Sequence, residues 1–123
     1  MRIGELAAVS GVSVRALRYY EEQRILAAHR SPSGQRHYPA TAVDRVRLIQ
    51  QLYAAGLSST AIRDLLPCVD TGISTPESLA RLVTEHDRIS RQIVDLIDTR
   101  DRLQAVIDEA LASRASEPDA LTR

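Results

Sequence analysis

The chain has 123 residues, enough for one domain or for one small domain with an appendage. It contains no Phe or Trp and only 4 Tyr, so its core must consist mainly of aliphatic side chains. No apolar run approaches the ~20 residues that cross a bilayer, and the N-terminus lacks the apolar segment of a secretory signal. We therefore expect a cytoplasmic protein that does not bind membranes.

The net charge of zero conceals a difference between the two halves of the sequence. Residues 1–60 contain 8 Arg and 4 acidic residues, whereas residues 61–123 contain 8 Arg and 12 acidic residues. All 16 cations are arginine, which suits bidentate contacts to phosphate and guanine, although genomic base composition explains the absence of Lys equally well. The asymmetry predicts that only the N-terminal half meets a polyanion.

Two short helices with a tight turn between them are predicted at the N-terminus. Apolar residues with i, i+3, i+4 spacing predict an amphipathic helix over residues 3–8, and Gly11 is suited to end it. Ser13 is suited to cap a second helix that runs to about residue 23. This order is the helix-turn-helix pattern, in which the second helix lies in the major groove of DNA.

The second predicted helix carries cations and phenols. Arg15 and Arg18 lie on its outer side, away from the inward-facing Leu17, and Tyr19 and Tyr20 can offer hydroxyls to phosphate oxygens. The alternatives are a solvated face for the arginines, paired with nearby glutamates, and core packing for the tyrosines. This helix alone does not decide between them.

The segment from His29 to Tyr38 favours the DNA-binding alternative. It has Pro32 and Gly34 near its centre and cations on both flanks, a composition typical of a turn between two short strands. A ribbon of this kind beside a recognition helix reaches the backbone or the minor groove of the neighbouring turn of DNA, where phosphate contacts position the protein.

Three more helices are predicted in the rest of the chain. A helix over about 41–55 is followed by a short helix over 59–66 that ends at Pro67. After a loop over 67–75, a helix from about 76 to 113 would be roughly 55 Å long. Such a helix is far longer than a 70-residue domain can cover.

The long helix has a heptad pattern that continues for about four heptads and requires a partner helix. The alternative is a single helix that folds back on the N-terminal domain. Two polar residues, His86 and Arg100, interrupt the row of apolar heptad positions, here called the seam. They are expected to fix the register of the two helices, although His86 could instead sense a ligand. The seam consists of Leu82, His86, Ile89, Ile93, Leu96, Arg100, Leu103, Ile107 and Ala110.

These segments, in this order, resemble the MerR family of bacterial transcription regulators. The motif V-R-x-L-R-Y-Y-E at 14–21 and the motif S-G-x-R-x-Y at 33–38 carry the resemblance. It implies a mostly α fold, with a winged helix-turn-helix DNA-binding head of four short helices and a small β wing over 1–70. A linker and a long coiled-coil dimerisation helix follow over 71–113. The tail, 114–123, lacks apolar periodicity and is expected to be disordered.

The resemblance also implies a partner, double-stranded promoter DNA, and a mechanism. A homodimer binds promoters whose spacer is too long and distorts that spacer so that RNA polymerase can engage both promoter elements. The expected DNA-binding residues are Ser13, Val14, Arg15, Arg18, Tyr19, Tyr20, Arg36, His37 and Tyr38. The expected dimerisation residues, in an antiparallel coiled coil, are Leu82, His86, Ile89, Ile93, Leu96, Leu103 and Ile107.

Three features depart from the family pattern: Arg24, Ala61 and the absence, after residue 113, of the cysteines that metal-sensing and redox-sensing members carry at the start of the dimer helix or beyond it. Arg24 stands where the family often has Gly, so the second helix either ends in a left-handed arginine or continues. Ala61 replaces an acid and weakens the capping box of the fourth helix. Cys68 is the only cysteine, which excludes an intrachain disulfide and an iron–sulfur site by ligand count; we expect no metal and no cofactor.

Other functions are weaker on this sequence. It has no nucleophile–base arrangement and no Gly-rich phosphate loop, so an enzyme is not expected. A DNA-organising or anchoring protein with the same head remains the alternative to a nucleoid-associated regulator. Any pocket for a small-molecule effector of unknown identity is expected between the head and the partner's coil, lined by Tyr53, Cys68 and His86.

Overall fold

The computed structural model describes residues 1–116. It is mostly helical, with one two-stranded antiparallel sheet, which confirms the predicted fold class. Contacts divide the chain into a first unit, Met1–Val83, and a second unit that begins at Thr84. The elements in chain order are α1 (Ile3–Ser10), α2 (Val14–Glu22), β1 (His29–Arg30), β2 (Arg36–His37), α3 (Ala42–Ala54), α4 (Ser59–Thr71) and α5 (Pro76–Ala115).

The core of the first unit is aliphatic, as the composition predicts. Each of its four short helices supplies at least one side chain that is fully buried, and each such Leu or Ile contributes about 1.5–3 kcal/mol. Its aromatic members are Tyr20, on α2, and Tyr38, the last residue of the predicted wing. The most buried large side chains are Leu6, Leu17, Tyr38, Val46, Ile49 and Ile62.

Local capping interactions build the turn between α1 and α2. Gly11 has a φ of 74°, a left-handed conformation that glycine adopts without strain, and its N–H donates to the Ala7 carbonyl at 2.9 Å. The Ser13 hydroxyl accepts from the Ala16 N–H at 3.1 Å. The predicted helix-turn-helix is therefore present, with both predicted capping residues in place.

Arg24 ends α2 in the left-handed conformation, with a φ of 61°. Its N–H donates to the Glu21 carbonyl, and the next N–H, of Ile25, donates to the Tyr20 carbonyl at 3.0 Å. Among the described residues it is the only non-glycine with a positive φ. Of the two alternatives left by the sequence, a left-handed arginine is the one observed.

The fourth helix is longer than predicted. The expectation that it ends at Pro67 is wrong, because α4 continues to Thr71 and the connection to α5 shrinks to 72–75. Proline removes one N–H donor, but the following turn still closes: the Gly72 N–H donates to the Cys68 carbonyl at 2.8 Å. At the other end, Ser58 accepts from the Ala61 N–H at 3.1 Å, so the helix is capped without an acid at position 61.

The long helix α5 begins with a reciprocal cap and runs for 40 residues. Thr75 and Ser78 exchange hydrogen bonds, with the Ser78 N–H donating to Thr75 Oγ1 at 3.1 Å and the Thr75 N–H donating to Ser78 Oγ at 2.8 Å. The helix continues two residues past its predicted end, through Arg114 and Ala115. Most of the tail predicted to be disordered, 117–123, lies outside the described residues.

Large apolar side chains are exposed along the part of α5 that belongs to the second unit. Ile93, Leu96, Leu103 and Ile107 of the predicted seam are between 49% and 63% exposed. The stripe is wider than that seam, because further apolar residues lie beside it. These are Ile97, Val106 and Leu111. No helix of the described residues is both long enough and apolar enough to cross a membrane.

Replacing Arg24 with glycine should stabilise the first unit by about 1 kcal/mol, because glycine adopts a positive φ without the steric cost that Arg24 bears. The measurement is the free energy of unfolding from urea denaturation. Arg24→Ala is the control, since it removes the guanidinium but keeps the Cβ at the same φ. An equal gain in both variants would show that the side chain, and not the backbone, is the source of the strain.

Candidate nucleic-acid interface

The outer face of α2 is open to solvent. Arg15 and Arg18 are exposed, and so is Ser13 at the N-cap, while Leu17 is completely buried on the opposite side. Val14 is half-buried at the first position of the helix. The apolar side of the helix therefore packs on the core, and its cationic side is accessible to a ligand.

The predicted wing is a two-stranded hairpin in which His29 pairs with His37 and Arg30 with Arg36. Its turn is closed by hydrogen bonds from the Gly34 N–H to the Ser31 carbonyl at 2.8 Å and from the Ser31 N–H to the Gln35 carbonyl at 2.7 Å. All four paired residues are exposed. Arg30 and Arg36 are cross-strand neighbours, and the Arg30 guanidinium donates to the Gly34 carbonyl at 3.1 Å.

Glu21 joins the wing to α2. One carboxylate oxygen accepts from the Tyr38 hydroxyl, and the other lies 3.0 Å from Nη1 of Arg36. The Glu21 side chain is 15% exposed, which strengthens both interactions relative to a solvated pair. This carboxylate thus fixes the second strand of the wing to the last turn of α2.

Tyr38 is not a DNA contact in this conformation, which corrects the expectation from the wing motif. Only 1% of the residue is exposed, and its hydroxyl is bound to Glu21. Its backbone is held as well, because its N–H donates to the Met1 carbonyl and its own carbonyl accepts from the N-terminal amine, both at 2.7 Å. Tyr38 positions the wing instead of touching a ligand.

The two tyrosines at the end of α2 differ. Tyr19 is 43% exposed, whereas Tyr20 is 9% exposed and its ring stacks on that of Tyr53, with 5.7 Å between ring centroids. Burial, and secondarily the neighbouring Tyr53, raises the pKa of the Tyr20 hydroxyl, so it remains protonated at neutral pH. Because the ring is buried, only the hydroxyl of Tyr20 could contact a phosphate, and this contact stays a prediction.

The structure brings together three arginines that are distant in sequence. Arg18 and Arg36 line one open cleft of about 540 Å³ with Glu21 and Glu22, and an adjoining cleft of about 340 Å³ with Arg2. The Arg2 guanidinium also donates to the Gln35 side chain at the wing. The sequence did not single out Arg2, because nothing local indicates that the first residues lie beside the wing.

Ser59 is a second residue that the sequence did not assign to the site. Its hydroxyl lies 3.5 Å from the hydroxyl of Tyr19 and forms a hydrogen bond with that of Tyr53, in the first turn of α4. The exposed side of α2 therefore continues onto the N-terminus of α4. Nothing in the local sequence indicates that this serine lies beside α2.

The three residues of the predicted effector pocket have separate surroundings. Tyr53 has its ring on Tyr20, Cys68 is half-buried on α4, and His86 belongs to the second unit, where its ring nitrogen lies 3.2 Å from Asp87. This pocket stays a prediction. Within residues 1–116, no cluster of three or more His, Cys, Asp or Glu side chains could hold a metal ion.

Replacing Tyr38 with phenylalanine should lower the free energy of unfolding by about 1–2 kcal/mol, because the partly buried Glu21 carboxylate loses a donor. Tyr19→Phe is the matched control and should change stability by less than about 0.5 kcal/mol, since its hydroxyl is exposed. Urea denaturation measures both. Equal effects of the two substitutions would contradict the role given to Glu21.

Comparison with known proteins identifies the family. The sequence model described as "MerR HTH family regulatory protein" matches residues 1–67, more than half of the chain. The nodulation protein NolA of Bradyrhizobium elkanii is 38% identical over 105 residues, covering 84% of this chain and 45% of NolA. The chain thus spans less than half the length of that relative. The HTH-type transcriptional regulator HmrR of Rhizobium leguminosarum bv. viciae is 32% identical over 107 residues, covering 84% of this chain and 83% of HmrR.

Solved structures show the same fold. A MerR family transcriptional regulator from Listeria monocytogenes superposes with a TM-score of 0.82 at 28% identity, covering 99% of this chain and 94% of that one. HiNmlR, a MerR family regulator lacking the sensor domain and solved bound to promoter DNA, superposes with a TM-score of 0.77 at 23% identity, covering 93% and 92%. The chain belongs to the MerR family of helix-turn-helix transcriptional regulators.

Proposed function

We propose that this protein is a homodimeric, sequence-specific DNA-binding regulator of transcription. The observation that carries the proposal is the joining of Arg18 on α2 and Arg36 on the wing along one cleft, with the wing fixed to α2 through Glu21. A helix and a ribbon held in fixed relation can engage the major groove and an adjacent stretch of backbone together. The promoter-bound HiNmlR, which has the same fold, supports this use of the head.

Within this proposal α2 is the recognition helix. Arg15 and Arg18 are exposed on its outer face and can contact guanine edges or phosphates, while Ser13, Val14 and Tyr19 lie at the periphery of that face. The excess of arginine over acidic residues in 1–60 supplies the electrostatic attraction to DNA.

The wing would bind the DNA backbone. Arg30 and Arg36 are neighbours across the two strands, and His37 is exposed beside them. A phosphate beside the wing would accept charge-assisted hydrogen bonds from both arginines. Arg2, which reaches the wing through Gln35, would contribute to the same contact.

The second copy of the chain would cover the apolar stripe of α5. In a single chain, four apolar side chains of the seam are about half exposed or more: Ile93, Leu96, Leu103 and Ile107. Contact of this much apolar surface with water is unfavourable. Leu82 and Ile89 of the seam are half-buried, and the ring of His86 is exposed. A two-fold dimer built on this helix would bind a site with two related half-sites on one face of the duplex.

Regulation would follow from distortion of the promoter. In this account the dimer binds a spacer that is too long, kinks and untwists it, and so lets RNA polymerase engage both flanking elements. The deformation energy is offset by the additional phosphate contacts of the two wings. The protein would then work in the cytoplasm on the nucleoid, with promoter DNA, a second copy and RNA polymerase as partners.

Arg18→Ala should weaken binding to a duplex selected from random sequence by about tenfold or more, and should reduce the salt dependence of the affinity. Arg91→Ala is the control, because it removes the same charge from α5. Titrations at several salt concentrations measure the affinity, and sedimentation checks that both variants remain in the wild-type association state. Equal affinities of the two variants for DNA would contradict the assignment of α2 to the DNA interface.

Ile93→Asp should weaken self-association by at least tenfold, because it buries an unpaired carboxylate in the seam. Val94→Asp is the matched control, since it introduces the same group at the next residue, which lies outside the heptad seam and is 64% exposed. Sedimentation equilibrium measures both variants. Intact dimers of Ile93→Asp would contradict the proposed dimerisation helix.

A further inference from the structure

The first unit contains a second basic cavity that the proposed DNA contacts do not use. It is open on one side, has a volume of about 790 Å³, and is lined by residues from the end of α2, from β1 and from α3 and α4. Three arginines face it: Arg24, Arg45 and Arg63. Its size lies within the range of small-molecule sites in proteins, about 300–1,000 Å³.

The charges around this cavity do not cancel. Arg45 forms an ion pair with Asp70. Glu21 also lines the cavity, but its carboxylate is already bound to Arg36 and to the Tyr38 hydroxyl. The guanidinium groups that remain, those of Arg24 and Arg63, form no ion pair with any described residue. The lining thus contains three arginines and two carboxylates, a formal charge of 3 − 2 = +1, and the two guanidinium groups outside ion pairs are available to an anion.

Arg63 is held in place at the wall of the cavity. Its Nε donates to the carbonyl of Gln23 at 2.7 Å, and the residue is half-buried on α4. A guanidinium anchored through Nε can still direct its two terminal nitrogens at an anion. This is an arrangement suited to a carboxylate or a phosphate, because both accept two parallel hydrogen bonds.

Arg24 occupies a position where glycine would be less strained. Its φ of 61° costs about 1 kcal/mol or more in a residue with a Cβ. The sequence nevertheless supplies an arginine there, next to Gln23, whose carbonyl orients Arg63. Strained residues occur preferentially at functional sites, and the strain here brings a second guanidinium to the same cavity.

The rest of the lining is apolar. Ile25, Leu26 and Leu66 are almost completely buried below the cavity, and Pro39 and Pro67 are exposed beside it. The apolar surface within reach of a ligand is therefore that of the two prolines, which a ligand with an apolar body would cover. The cavity thus combines two cations with a hydrophobic wall.

We propose that this cavity binds a small organic dianion with an apolar body, either a phosphate monoester or a dicarboxylate. Arg24 and Arg63 bind the anionic groups, and Pro39 and Pro67 contact the body. The site is distinct from the Arg18–Arg36 cleft, and the proposal does not depend on the DNA-binding function.

The test uses the full chain with phenyl phosphate and phthalate as dianionic probes and benzoate as a monoanionic control. Amide NMR spectra locate the binding, and calorimetry measures the affinity. We expect one dianion to bind at millimolar concentration or better, at least tenfold more tightly than benzoate, and to shift the amides of residues 23–27 and 63–67. Whether phenyl phosphate or phthalate binds distinguishes the phosphate monoester from the dicarboxylate.

Arg24→Gly should weaken binding of that dianion at least tenfold, and it removes the guanidinium without imposing backbone strain, so loss of folding cannot explain the result. Arg24→Lys should recover part of the affinity, and Arg91→Ala should leave it unchanged. Three results would each overturn the proposal: absence of saturable binding by both dianions, equal binding by Arg24→Gly and the wild type, or shifts confined to the amides around Arg18 and Arg36. The last result would instead indicate phosphate mimicry at the DNA-binding face.

Discussion

The geometry of the head depends on the carboxylate of Glu21. It accepts a hydrogen bond from the buried Tyr38 hydroxyl and pairs with Arg36, and so joins the last turn of α2 to the second strand of the wing. A two-stranded hairpin has little stability of its own, and a short helix exposes half of its surface. Linked through one partly buried anion, the two become a single surface on which Arg18 and Arg36 have a fixed separation. In the proposed function, a rigid protein surface does not change shape on binding, so the DNA duplex must deform to fit it.

Much of the head could be predicted from the sequence because its determinants are local. Gly11 and Ser13 specify the turn and the cap of α2 through hydrogen bonds to residues within four positions, and the wing turn is similarly local. The remaining features required tertiary information. Tyr38 lies in the motif that marks the wing, yet its ring is buried, since no local pattern shows that α2 supplies an acceptor beneath it. The continuation of α4 past Pro67 depends on capping by Gly72, which offsets a local signal for termination.

The two units solve different physical problems. The first unit buries a small aliphatic core under four helices and presents its arginines outward. In the second unit, α5 satisfies its backbone hydrogen bonds internally but leaves a broad apolar stripe uncovered, wider than a strict heptad seam because Ile97 and Leu111 extend it. Exposure of such a stripe to water is unfavourable, and packing against another helix would bury it. In the proposed dimer, α5 would bring the exposed arginines of two first units together, as recognition of paired half-sites requires.

The central claim is that two rigid heads joined by α5 distort the DNA between their half-sites. A DNase I footprint of the wild-type protein on the DNA immediately upstream of its own reading frame tests this most directly. The account predicts a two-fold symmetric protected region inside an over-long promoter spacer, with enhanced cleavage at its centre, where the duplex is kinked and untwisted. Protection of a single asymmetric stretch, or symmetric protection with unchanged cleavage at the centre, would contradict it.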